Sequence, residues 1–114
     1  MRYSFAQVAP FVAKWKRLRL TDEDLQALEA EIGARPNAGA VMAGTGGLRK
    51  LRFAPPSWNR GKSGSTRVCY VVFGNIGVVY LLTLFAKNEK DNLANSEKRL
   101  MRRWIEDLKN ALIR

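Results

Sequence analysis

Histidine is absent from this 114-residue chain. The side chain that most readily moves protons near neutral pH is therefore not available, and no histidine acid–base pair can be built. Cysteine occurs once, at Cys69, so no disulfide can close within the chain. That residue sits in an apolar run and reads as a small buried side chain in an intracellular protein. Long hydrophobic runs are missing too. The longest, around Val78–Leu82, falls far short of the roughly 20 residues a membrane helix needs. The opening "MRYSFAQVAPFVAKW" has neither the apolar core nor the cleavage pattern of an export signal. These absences point to a cytoplasmic chain with no membrane partner.

Acidic residues are scarce, and half the chain has none. All ten lie in two blocks, Asp22–Glu31 and Glu89–Asp107, while the net charge is +10. The 57 residues between the blocks hold eight cations: Arg35, Arg49, Lys50, Arg52, Arg60, Lys62, Arg67 and Lys87. So one-sided a field attracts polyanions, with nucleic acid favoured over an anionic membrane because no helix is both basic and strongly apolar. The stretch "GKSGSTRVCY" has the look of a phosphate loop but fails as one. The glycine expected five residues before its Gly-Lys-Ser is Pro56, which has no N–H to offer a phosphate. A strand rather than a helix follows it, and no carboxylate lies nearby to hold magnesium.

What is present organises as a single domain over residues 1–114. A short strand over Arg2–Ala6 is followed by Val8, Phe11, Val12, Trp15 and Leu18 at helical spacing, with Lys14, Lys16 and Arg17 outward. Thr21 and Asp24 form a capping pair for a second helix that buries Leu25, Leu28 and Ile32 and ends near Gly33. After the small-residue loop "PNAGAVMAGTGG" the period changes to two: Leu48–Phe53, Arg67–Phe73 and Ile76–Phe85 read as strands, the last two joined at Gly74-Asn75. Ser96 caps a closing helix with Leu100, Met101, Trp104, Ile105, Leu108 and Leu112 as its buried stripe. Helix pair, antiparallel β-meander and C-terminal helix make an α+β domain.

Strand alternation places Lys50 and Arg52 on one face and Arg49, Leu51 and Phe53 on the other. In an antiparallel meander the end of the first strand, the start of the second and the end of the third lie together. Lys50, Arg52, Arg67, Lys87 and Asn88 therefore converge, beneath the loop carrying Arg60 and Lys62. RNA brings its own nucleophile, the 2′-hydroxyl. In-line attack on the adjacent phosphate then needs a base, stabilisation of the added charge and a proton for the leaving 5′-oxygen. A lysine among other cations can supply neutral amine, and arginine is suited to holding the phosphate. Lys50, Arg52, Arg67 and Lys87 are the candidate catalytic residues. Arg49, Arg60, Lys62, Asn88 and Trp58, the last able to stack on a base, are candidate substrate contacts. The scheme calls for no metal and no cofactor.

The segments "GTGGLRKLRF", "GKSGSTRVCY" and "VYLLTLFAKNEKDNL", in this order, resemble the HigB branch of the RelE/ParE toxin superfamily over nearly the whole chain. The resemblance implies a RelE-like fold and the toxin of a type II toxin–antitoxin pair. Such a toxin is an endoribonuclease that cuts mRNA in the ribosomal decoding site and so stops translation. It implies as partners the ribosome, mRNA and a cognate antitoxin of helix-turn-helix type. By position Lys50 and Arg52 match the family's basic first-strand residues, Arg67 its arginine heading the second strand, and Lys87 the lysine closing the third. Many relatives carry arginine where Asn88 stands and tyrosine where Ala94 stands; a proton-transfer group here would be Tyr70, Tyr80 or a lysine, although both tyrosines read first as core residues. The same fold also admits a ParE-like inhibitor of DNA gyrase, and the charge alone would serve a non-enzymatic nucleic-acid-binding module.

Overall fold

In the computed structural model, which describes residues 2–58, 65–90 and 92–112, the change of hydrophobic period becomes a change of layer. Strand β1 is Ser4–Gln7, helices α1 and α2 are Ala9–Arg17 and Asp22–Ala34, and β2 is the two-residue Ala40–Val41. Strands β3 (Arg49–Phe53), β4 (Thr66–Phe73) and β5 (Val78–Ala86) precede α3 (Asn95–Leu112). The five-stranded sheet has the order β1-β5-β4-β3-β2. Strands β3, β4 and β5 form the expected antiparallel meander, β2 adds antiparallel to β3, and β1 joins β5 in parallel.

Each sheet face buries its own core. On one, Leu51, Phe53, Val68, Tyr70 and Leu84 pack with Phe11 and Trp15 of α1 and Leu28 and Ile32 of α2. On the other, Cys69, Val71, Phe73 and Phe85 pack with Met101 and Ile105 of α3. Helix α2 starts at the capping box read from Thr21 and Asp24: Asp24 N donates to Thr21 Oγ1 at 3.0 Å, and Thr21 N to Asp24 Oδ2 at 2.9 Å. The fully buried Asp24 carboxylate also accepts from Ser57 N at 2.9 Å and Ser57 Oγ at 2.5 Å, tying the helix start to the chain leaving β3.

Several expectations are corrected. The β4–β5 connection is not two residues: Phe73 pairs with Val78, leaving the four residues Gly74 to Gly77 as the turn. Gly77 takes φ +67 there, a conformation glycine reaches without penalty. Leu100 is 42 % exposed, since the α3 stripe narrows around Met101 and Ile105. Helix α3 begins one residue before Ser96, with Glu97 Oε1 accepting Ala94 N at 2.8 Å across the first turn. The 36–47 stretch is not all loop, because it contains β2 and a turn held by buried Thr45, whose Oγ1 donates to Met42 O at 2.6 Å and accepts Leu48 N at 3.0 Å.

At Gly39 an added Cβ would lie 2.8 Å from the Tyr70 hydroxyl and 3.1 Å from the Lys50 carbonyl. Gly39→Ala should destabilise the fold by about 1–3 kcal/mol through overpacking, read as a lower denaturation midpoint. An unchanged midpoint would show that this approach is not required.

Candidate functional site

Register decides which cations meet. Arg52 pairs with Arg67, and Lys50 with Cys69, across β3–β4; cross-strand partners project from the same face. Since Cys69 packs in the core under α3, Lys50, Arg52 and Arg67 share that face, at the same end of the sheet. Arg67 is only 5 % exposed, and its Nη1 donates to Ser65 Oγ at 2.9 Å. That hydrogen bond holds the guanidinium in place. Arg52 is exposed, and Lys50 is half-buried with its Nζ 3.5 Å from Asn92 Oδ1. Lys87 follows the last residue of β5, its N–H bonded to Ser65 O at 2.8 Å, so it stands at the Arg67 end with exposed Asn88 beside it.

The remaining candidates divide differently. Arg49 alternates with Lys50 and lies on the opposite face, where its Nη1 donates to Asn37 O at 3.1 Å and Gly39 O at 2.7 Å. It holds the 37–39 chain. Trp58 packs against the core on that same opposite face, away from Lys50 and Arg67. Arg60 and Lys62 lie outside the described residues.

Neither tyrosine stands where proton transfer at this cluster would need it. Tyr70 is fully buried, its hydroxyl donating to Pro36 O at 2.9 Å and accepting Gly39 N at 3.1 Å. Burial pushes its phenol above the usual range, against the Gly39 hydrogen bond and the nearby Arg49 charge. Tyr80 pairs with Val71 and packs edge-on against Phe73, further along β5 from the cations. Tyr70→Phe should therefore cost about 1–3 kcal/mol through unpaired buried groups while leaving the activity of the folded fraction unchanged. A catalytic phenol would give the reverse pattern.

Sequence reasoning missed a group at the other end of the rung. A register shift falls where Cys69 faces Thr83 but Tyr70 faces Leu81, so Leu82 is an extra residue on β5. Such a bulge re-aims the side chains that follow it. Leu81 and Leu84 pack on the α1/α2 side, and Thr83 turns to the Cys69 side instead. There Lys14, expected to face outward from α1, is half-buried and donates from Nζ to Thr83 Oγ1 at 2.6 Å. Lys90 and Glu97 pair nearby at 2.5 Å, with Lys90 Nζ also 5.2 Å from the Phe85 ring centroid. Burial first, then repulsion from Lys90, holds the Lys14 ammonium below the usual lysine range, with Glu97 opposing. Burial also pushes the Cys69 thiol up to about 12, against the attraction of Lys50, Lys14 and Lys90, so it is a neutral floor to the site.

A mostly antiparallel five-stranded sheet with helices on both faces and a closing C-terminal helix is a RelE-like α+β fold, here carrying a cluster of cations on one sheet face. No family model matches the chain. Among solved structures the chain is similar to an arginine-to-alanine double mutant of the E. coli toxin RelE in the free state. The two are 19 % identical with a TM-score of 0.52, over 74 % of this chain and 82 % of that one. The likeness is one of fold. Among the described residues no helix is long and apolar enough to cross a membrane.

Proposed function

We propose that this chain is the toxin of a type II toxin–antitoxin pair, of the HigB kind, and that it cleaves mRNA in the decoding site of the ribosome. The observation that carries the reading is the Arg52–Arg67 cross-strand pair with Lys50 beside it, on a fold shared with a RelE toxin. Like charges placed opposite one another destabilise a sheet, so their juxtaposition fits a site that receives an anion. A scissile phosphate over Arg52 and Arg67 would have its added negative charge met by preorganised donors, and the 2′-hydroxyl would supply the nucleophile. Lys87 and Asn88 extend the basic edge along the RNA backbone. A cognate antitoxin of helix-turn-helix type would silence the toxin by covering this edge.

The experiment is translation of a defined mRNA in a purified system, with primer extension to map breaks. Ribosome-dependent cuts in the decoding site are expected. Intact mRNA alongside inhibited cell growth would replace this reading with gyrase inhibition, and intact mRNA with healthy cells would leave a basic binding module.

A further inference from the structure

Nothing in the phosphate-holding cluster accounts for the re-aimed Thr83 or for the lysine that reaches it. Strand β1 covers β5 only as far as Gln7 opposite Leu81, where Val8 N bonds Leu81 O at 3.2 Å. Beyond that point, among the described residues, the outer edge of β5 has no strand beside it in the sheet order, and α1 crosses there. From this crossing Lys14 reaches round to the α3 side of the sheet. Lys50, Cys69 and Thr83 occupy one rung across β3, β4 and β5, so Lys14 closes the end of that rung opposite Lys50.

We propose that Lys14 is a catalytic residue, the proton acceptor for the attacking 2′-hydroxyl. This rests on the endoribonuclease reading above. The placement fits in-line displacement, which needs acceptor and donor on opposite sides of the reacting phosphate: Lys14, held at Thr83, and Lys50 belong to the two ends of a rung whose end backbones lie two strand spacings apart, about 10 Å. The chemistry fits as well. Around Lys14 stand Lys90 from the segment after β5, Glu97 from α3, Arg17 on its own helix and Cys69 from β4; partial burial and the neighbouring cations favour the neutral amine.

The step balances. The Lys14 amine takes the 2′-hydroxyl proton and becomes an ammonium. The freed oxygen pair forms the bond to phosphorus. The bond from phosphorus to the 5′-oxygen breaks with its electron pair on that oxygen, which takes a proton from the Lys50 ammonium. A 2′,3′-cyclic phosphate and a 5′-hydroxyl result. Lys14 then releases its proton to solvent, and Lys50 takes one up.

The test is single-turnover cleavage of mRNA on programmed ribosomes between about pH 6 and 9, with wild type beside Lys14→Met, Lys14→Arg and Lys14→Cys alkylated with a haloethylamine. Alkylation installs a lysine analogue of lower pKa, and buried Cys69 escapes it. The wild-type rate should rise with pH. Lys14→Met and Lys14→Arg should cleave about 10²–10⁴-fold more slowly and lose the rise, while ribosome binding and the melting midpoint hold. The alkylated protein should regain activity, with the rise displaced to lower pH. Should Lys14→Met melt early, the alkylated protein decides. If Lys14→Arg cleaves like wild type, the proposal falls, Lys14 merely fastens α1 to Thr83, and the nuclease reading stands. If wild type leaves the mRNA intact, both fall together.

Discussion

Arg67→Ala should lower the rate of the proposed ribosome-dependent mRNA cleavage by about 10²–10³-fold, the usual cost of deleting one preorganised donor to a developing negative charge. The size of the effect follows from where the guanidinium sits. It is buried on the central strand β4, braced by Ser65, opposite Arg52 and beside Lys87, so it is fixed before any substrate arrives. Arg67→Lys should recover only part of the loss, because an ammonium keeps the charge but not the planar fork that meets two phosphate oxygens. Arg52→Ala, at an exposed position, should weaken cleavage less and raise its salt sensitivity more. Single-turnover primer extension, with ribosome binding measured in parallel, separates these cases. Loss of binding in step with loss of cleavage would mark Arg67 as a docking residue.

The second large effect is on stability. Asp24→Ala should destabilise the fold by about 3 kcal/mol, because three donors, Thr21 N, Ser57 N and Ser57 Oγ, lose a buried acceptor together. Urea denaturation would read this as a lower midpoint with an unchanged slope. The carboxyl also has a pH signature. Burial alone would raise its pKa, but the hydrogen bonds from Ser57 and Thr21 outweigh burial and hold it below the usual aspartate range. A depressed folded-state pKa contributes stability that is fully present above the unfolded value and is lost as pH falls through the folded one. Wild type should therefore weaken in acid, and Asp24→Asn should lack that part of the decline. Equal acid profiles for the two proteins would remove the carboxylate from this role.

The sequence made the meander, the three helices and the Lys50–Arg52–Arg67 grouping legible, because these depend on period and on the geometry of antiparallel neighbours; that the helices cover opposite faces of the sheet was not. Strand alternation sorted Lys50 from Arg49, and the structure keeps them apart. The parallel pairing of β1 with β5 left no such trace, since a parallel neighbour needs no turn to announce it. The bulge at Leu82 was hidden for a related reason. "VVYLLTLFA" is apolar on nearly every residue, so a change of phase within it leaves no break in the pattern. Without that phase change Thr83 would point away from the cations, and Lys14 would pass for one more solvated lysine. Tyr70 reads in sequence first as a core residue and only second as a proton-transfer group; it is buried, and its bonds to Pro36 and Gly39 make it a brace.

The parallel β1–β5 pairing also sets an order of events during synthesis. Strand β1 finds its seat on the much later β5, Ser4 opposite Val78, and α1 has no edge to cross until that seat exists. Such distant pairings form slowly because the intervening chain must first be closed into a loop. A nascent chain ending before β5 thus holds Lys50 and Arg67 but neither the sheet edge nor the hydroxyl that draws Lys14 inward. The Lys14 placement proposed above is withheld until β5 has been made.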